Sequence, residues 1–413
     1  MRPASARQRA RSKPALLALL TLVVTLLAAC APPFPGDDPF YRPPSPLPAG
    51  EPGDVINSRT SRFTTDPVTK APVPNVSSWQ IMYRSTDALG QPIPVTGTVL
   101  VPTTPWTGPG SRPLVSYAVG TRGVGDQCAP SYTLTQGADY EGGFIKGALD
   151  RGFAVAVSDY QGLGTPGGHT YMVGPAQGHA VLDVARAATR LPGTGLSSST
   201  PIGLMGYSQG GGGAGWAAQL ESTYAPELNI KGSAIGGVPG DLTATAEFLN
   251  GSTFVAFALM TAIGFDAAYP ELDLPTYLNE RGVELAQRAL NLCLVDVDGF
   301  ATLINTAFTR IEDYVTTNPL DTAAWQQRLN ENKLGATKPA APVFQHHGLI
   351  DEIVPFQQAA DLRRTWCNQG ANVTWSVQLA EHLLGLVGGQ SPSLDFLGSR
   401  FANTPVTSNC NLP

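Results

Sequence analysis

Pro201-Ile202-Gly203-Leu204-Met205-Gly206-Tyr207-Ser208-Gln209-Gly210, running on into Gly211–Glu221, carries more structural information than any other part of this chain. The apolar run Pro201–Gly206 reads as a buried strand, and the small residues of Gly211–Glu221 as a helix. Between them lies Gly-x-Ser-x-Gly. A serine on so sharp a strand-to-helix turn must take strained backbone angles, and flanking glycines remove the side chains that would clash there. The turn lifts the hydroxyl of Ser208 out of the sheet and sets it at a helix N-terminus. Backbone N–H groups at such an end suit a developing oxyanion, which makes the Gln209 N–H the first candidate donor.

Working outward, residues alternate apolar and polar over 79–84 and 95–101, and short apolar runs follow at Leu114–Val119, Ala154–Ser158 and Pro342–Gln345. Each run is followed by a glycine-bearing loop, and helical patterns such as His179–Arg190 separate several of them. Short buried strands alternating with helices predict an α/β protein with a largely parallel sheet covered on both faces. From Asp241 to Lys338 that alternation stops. Phe254–Ile263, Leu278–Leu290 and Phe300–Val315 read as helices with apolar faces, so residues 241–338 are expected to form a helical cap inserted between two core strands. Together with the serine turn this predicts the α/β-hydrolase fold.

A serine hydroxyl is a poor nucleophile until a base takes its proton. In this fold the order along the chain is serine, acid, histidine. Of the five histidines, only His382 lies beyond the last candidate acid loop, and it follows the strand-like Val373–Leu379. The acid belongs in a loop just after a core strand, which here is Gly348-Leu349-Ile350-Asp351-Glu352. Asp351 or Glu352 would orient His382 and stabilise its imidazolium, and the shorter Asp351 is preferred. His346 and His347 are neighbours on a strand and point to opposite faces, so they do not share an ion. The second oxyanion donor should come from the loop after an early strand, Gly120-Thr121-Arg122-Gly123. The reading calls for no metal and no cofactor.

The chain has 413 residues, 42% apolar and 14% charged, with 45 glycines and 36 prolines, which is enough for a sizeable core in a loop-rich body. Residues 1–29 read as an export signal: Arg2, Arg7, Arg9, Arg11 and Lys13, then the apolar Ala15–Ala29. It ends in Leu27-Ala28-Ala29-Cys30, which is similar to a bacterial lipobox, where the cysteine becomes the lipidated first residue. The expected location is therefore exported, held at the cell-membrane surface through lipidated Cys30 or released. Losing residues 1–29 removes five positive charges and moves the net charge from −6 to −11. So acidic a chain has no electrostatic attraction for nucleic acid. Four cysteines remain, Cys128, Cys293, Cys367 and Cys410; an even number in an exported protein points to two disulfides, with three possible pairings. Residues 31–54 hold nine prolines, and by composition alone they read as a linker.

Asp37-Asp38-Pro39-Phe40-Tyr41, Leu114–Tyr117, Cys128-Ala129-Pro130-Ser131-Tyr132, Tyr224–Ile230, Asp351–Pro355 and Ala380-Glu381-His382 resemble the secretory lipase family, from Asp37 to Cys410. The resemblance implies Ser208, Asp351 and His382 as the catalytic triad, a lid-bearing cap, and the pairings Cys128–Cys293 and Cys367–Cys410. It also implies that the segment from Asp37 packs on the domain. That shortens the tether to residues 30–36 and sets the core at 37–240 and 339–413. Counted back from Cys128, the residue matching the family's second oxyanion donor is Arg122, where a family enzyme has an acid; the backbone N–H is unaffected by that exchange. Residues 161–174 form a longer glycine-rich loop than the family pattern has.

The function expected is carboxylic-ester hydrolysis, of acyl glycerides or related lipidic esters, through an acyl-enzyme on Ser208. An acyltransferase is the alternative on the same fold, and a non-catalytic lipid-binding lipoprotein the alternative from another class.

Overall fold

The computed structural model describes residues 34–411; the signal segment, Cys30 and the residues just after it lie outside that range. Nine strands form one sheet in the order β1-β2-β3-β5-β4-β6-β7-β8-β9. They are β1 (Val55–Ser61), β2 (Val76–Thr86), β3 (Pro92–Pro102), β4 (Leu114–Ala118), β5 (Ala154–Ser158), β6 (Ile202–Tyr207), β7 (Ile230–Gly236), β8 (Val343–Gly348) and β9 (Val373–Gln378). The β1-β2, β2-β3 and β3-β5 pairings are antiparallel, and the rest of the sheet is parallel. Every residue of β4, β5, β6 and β8 is buried, as expected for parallel strands covered on both faces.

The covering helices are α1 (Pro130–Gln136), α2 (Gly142–Asp150), α3 (Gly174–Arg190), α4 (Gln209–Tyr224), α10 (Phe356–Asn368) and α11 (His382–Phe401). Strand parity assigns them to faces. A Cβ on Gly232 of β7 would press on Arg400 of α11, whereas Ile235, of opposite parity, reaches Gly215 of α4. This is the α/β-hydrolase arrangement. Between β7 and β8 the chain leaves the sheet for α5 (Leu242–Leu249), α6 (Val255–Ala268), α7 (Glu280–Ala289), α8 (Val297–Thr306) and α9 (Ala323–Glu331).

The proline-rich segment, a linker by composition, packs on the domain as the family resemblance implies, with Tyr41 buried and Asp38 accepting from Arg59 at 2.6 Å; the packed part begins before Asp37, with Pro35 already buried. The polar edge strand β1 and the glycine- and lysine-bearing β7 carry too weak an apolar pattern to be seen in sequence. The helix expected over Phe300–Val315 ends at Thr306: Phe308 takes a left-handed φ of 62°, and the Asn250 side chain then accepts the N–H of Ile311 at 2.8 Å. Two bridges staple the fold, Cys128–Cys293 and Cys367–Cys410, with Cα–Cα separations of 5.4 and 5.5 Å.

Candidate active site

The parallel strands all end on one edge of the sheet, and the site is assembled from the loops beyond β4, β6, β8 and β9. Ser208 has φ 59° and ψ −123°, a backbone state that costs a non-glycine residue about 1–3 kcal/mol. Surroundings hold it there. The Ser208 N–H donates to the Gly236 carbonyl at 3.0 Å, and the turn is so tight that a Cβ on Gly206 would strike the Gly210 carbonyl. The serine side chain does not cap α4, which leaves its hydroxyl free for other partners.

That partner is His382. Its Nε2 lies 2.9 Å from Ser208 Oγ, and its Nδ1 lies 2.7 Å from Asp351 Oδ2. The other Asp351 oxygen accepts the N–H groups of Ile353 and Val354 at 3.0 and 2.8 Å, so the carboxylate is fixed before it meets the imidazole. Burial alone would raise the Asp351 carboxyl. The hydrogen bond and charge of His382, the Val354 N–H and the nearby His347 outweigh it and hold it below the ordinary range. Glu352 does a different job: its Oε2 accepts the backbone N–H of His382 at 3.1 Å. His382 opens α11, with Glu381 capping the Leu383 and Leu384 N–H groups. Tyr207 closes the other side, its hydroxyl donating to the His382 carbonyl at 2.7 Å. An imidazole oriented this way can take the serine proton through Nε2 while the carboxylate compensates the charge it acquires.

The loop after β4 is pinned group by group. Gly120 N–H donates to Glu141 Oε1 at 2.9 Å, and the Gly120 carbonyl accepts from Arg122 Nη1 at 3.2 Å. Tyr140 OH donates to the Thr121 carbonyl at 2.9 Å, and the Arg122 carbonyl accepts from Leu294 N–H at 2.8 Å. The Arg122 side chain turns away from the cavity into a buried cluster. Its guanidinium grips Asp139 at 2.9 and 3.0 Å, reaches Glu141 at 3.3 Å and lies 4.0 Å from the centroid of the Tyr140 ring. Thr121, rather than Arg122, lines the space beside Ser208 and Gln209.

Over Ser208 opens a cavity of about 450 Å³. Its floor is Ser208, Gln209, Thr121 and His382; its roof is apolar and comes from the helical insertion, including Leu249, Phe257, Leu294 and Phe300. His346 and His347 occupy opposite faces of β8. His346 stacks on Tyr207, and His347 Nε2 donates to the Val354 carbonyl at 2.9 Å. Among the described residues no cluster of His, Cys, Asp and Glu has a metal-binding arrangement.

Several neighbours escaped the sequence. The side-chain amide of Gln209 lies 3.4 Å from His169 Nε2, and His169 Nδ1 is 2.9 Å from the Gln161 carbonyl. Burial pushes His169 down to about 4, so it is neutral, with Nδ1–H donating and Nε2 accepting. The glycine-rich loop 161–174 stood out as long, but nothing in it announced this contact. Asp139 and Glu141 gave no signal in the sequence.

Fold and site together define a serine hydrolase. The secretory lipase family pattern matches residues 128–409. Lipase A of Moesziomyces aphidis is 32% identical over 428 residues, covering 98% of this chain and 89% of its own. A Mycobacterium tuberculosis protein described as a probable inactive lipase is 32% identical over 391 residues, covering 91% and 84%. The crystal structure of Candida antarctica lipase A in its closed state superposes with a TM-score of 0.81 at 30% identity, covering 93% of this chain and 90% of that one. The chain belongs to the secretory lipase family and is an exported ester hydrolase of the serine type.

Proposed function

We propose that the chain cleaves acyl glycerides or related lipidic esters by acyl transfer to Ser208, with His382 as general base and then general acid, and Asp351 orienting it. The unbroken hydrogen-bonded series from Ser208 Oγ through His382 to Asp351 is the observation that carries this reading. The oxyanion is received by the Gln209 N–H and by a second N–H from the Thr121–Arg122 segment, where Arg122 is the family-matched position. Residues 241–338 act as a lid-bearing cap whose apolar lining receives the acyl chain. Cys30 is lipidated and holds the mature protein at a membrane surface through residues 30–33. Labelling with a palmitate analogue should be lost in Cys30→Ser, and its persistence there would refute the anchor.

A relative described as an inactive lipase favours a second reading, a lipid-binding protein without turnover. The two separate cleanly. An alkyl fluorophosphonate should label the wild type and not Ser208→Ala, and p-nitrophenyl esters of increasing chain length should be hydrolysed, the longer ones more efficiently. An unlabelled wild type with no esterase activity would leave only the binding reading.

A further inference from the structure

Residues 159–173 join β5 to α3 and contain most of the glycine-rich loop singled out in the sequence. None of the proton transfers at Ser208 uses them, yet the connection is costly to build. Tyr160 and Met172 are buried, and both are held at a left-handed φ, 64° and 63°. Between them the chain doubles back tightly, since a Cβ on Gly162 would strike the Gly168 carbonyl. The Thr170 N–H and His169 Nδ1 both meet the Gln161 carbonyl, at 3.3 and 2.9 Å. From the cap, Gly264 lets α6 lie directly on the Tyr171 backbone. Backbone strain persists only where the surroundings over-determine it, and it gathers at functional sites.

The strained connection reaches both segments that border the oxyanion. His169, with Nδ1–H donating to Gln161, offers Nε2 to the side-chain amide of Gln209 at 3.4 Å. Two residues on, the Tyr171 hydroxyl meets the Thr121 hydroxyl at 2.8 Å. The Tyr160 hydroxyl donates to the Val119 carbonyl at 2.9 Å, at the foot of the loop after β4. The imidazole of His169 sits between the two tyrosines, its centroid 6.3 Å from the Tyr160 ring and 6.1 Å from that of Tyr171. His169, Gln209, Tyr171 and Thr121 are all buried.

We infer that this connection is a strap that aligns the two oxyanion donors with each other, His169 setting Gln209 and Tyr171 setting the Thr121–Arg122 segment. Both are positioning residues, and this role rests on the acyl-transfer reading above. The donors follow different strands, β6 and β4, so no local turn fixes the distance between them. They stabilise an oxyanion only when that distance is set before the charge develops. One rigid element bonded to both sides sets it.

Tyr171→Phe and Thr121→Val each delete one hydroxyl from the same bond. In the mature chain each should lower kcat on p-nitrophenyl acetate about tenfold and leave KM within about twofold, the pattern of an interaction made only in the transition state. The double variant should lose no more than either single one. His169→Met and Gln209→Met should behave as a second such pair, and His169→Gln, which offers an oxygen to the Gln209 amide, should recover most of the rate. An alkyl trifluoromethyl ketone reads the alignment without turnover: Ser208 Oγ adds to its carbonyl carbon, His382 takes the serine proton, and the oxyanion occupies the hole. Its inhibition constant should rise in step with the fall in kcat/KM, whereas Pro166→Ser, at the exposed tip, should change neither. Single variants that keep the wild-type kcat, losses that multiply in the double variants, or a lost kcat with unchanged ketone inhibition would each overturn the strap. A wild type that an alkyl fluorophosphonate does not label would strike the acyl-transfer reading first, and the strap with it.

Discussion

Arg122→Met removes the cation shared by three segments around the site. Asp139 would keep the Thr133 hydroxyl at 3.0 Å and the Glu141 N–H at 2.9 Å, but lose both guanidinium contacts. Glu141 would keep the Gly120 N–H, and the Gly120 carbonyl would lose the Arg122 donor. Both carboxylates are buried, and stripping the partner from a buried ion pair costs about 3–5 kcal/mol. The catalytic effect comes through the backbone. If the Thr121–Arg122 segment supplies an oxyanion donor, loosening it approaches the loss of that donor, about 10²–10³ in kcat. KM should move only a few-fold, because the apolar roof of the cavity belongs to the insertion and not to this loop. Arg122→Lys should recover part of the stability and little of the rate, since an ammonium cannot make the forked contact to Asp139. Thermal melts and steady-state kinetics on a soluble ester, run well below the lower melting temperature, measure both. A melting temperature that falls while kcat stays within twofold would refute the argument: the Tyr140 and Leu294 bonds would then suffice to place the loop.

Asp351→Asn should lower kcat about 10⁴-fold by presenting N–H to a nitrogen that must itself donate, whereas Glu352→Gln, which still offers an oxygen to the His382 N–H, should cost less than tenfold; the reverse order would reassign the acid. Cys128→Ser/Cys293→Ser opens a loop of 165 residues and Cys367→Ser/Cys410→Ser one of 43, for which chain entropy gives upper figures of about 5 and 4 kcal/mol. Both pairs should melt earlier, but only the first should lower kcat, and equal kinetics in the two would sever the link between cap and loop. Burial pushes Glu221 up to about 7, against the opposing N–H groups of Ala340 and Ala341. Its folded value lies above its unfolded one, so ionisation destabilises the fold above about pH 7, and stability is regained as pH falls toward 4.5. Glu221→Gln should therefore stabilise at pH 8.5 by about 1–2 kcal/mol and have no such benefit at pH 5. Linkage alone gives roughly 3, reduced because the new amide nitrogen inherits the unpartnered position of Oε2. Equal melting shifts at both pH values would refute the assignment.

The sheet was legible where burial forces unbroken apolar runs, as in Ala154–Ser158, and where one residue has a steric demand that few sequences meet, as at Ser208. It was illegible where glycines replace side chains. In β7, a Cβ on Gly232 would meet Arg400, so the strand is built from small residues that read as a loop. Ser208, His382 and Asp351 could be named as candidates because chemistry, chain order and five histidines restrict the choice. Arg122 could be named only by position. Its partners lie 17 and 19 residues on, in the turn between α1 and α2, and no local periodicity connects them. The break at Phe308 was hidden for a related reason, since it depends on Asn250, far back in the chain, accepting the Ile311 N–H.

Gly123 pairs with Cys293 as an isolated bridge, Leu294 bonds Arg122, and the disulfide fastens Cys128 to Cys293. This seam has its two edges in different parts of the chain. A chimera with crossovers at the ends of β7 and β8 would bring in a foreign 292–294 edge and leave the native 122–128 edge behind. Whatever acyl preference the transplanted helices encoded would then arrive with a mismatched anchor beside Ser208. Productive recombination between relatives has to move residues 120–128 along with the insertion, so selectivity and turnover rate behave as one heritable trait.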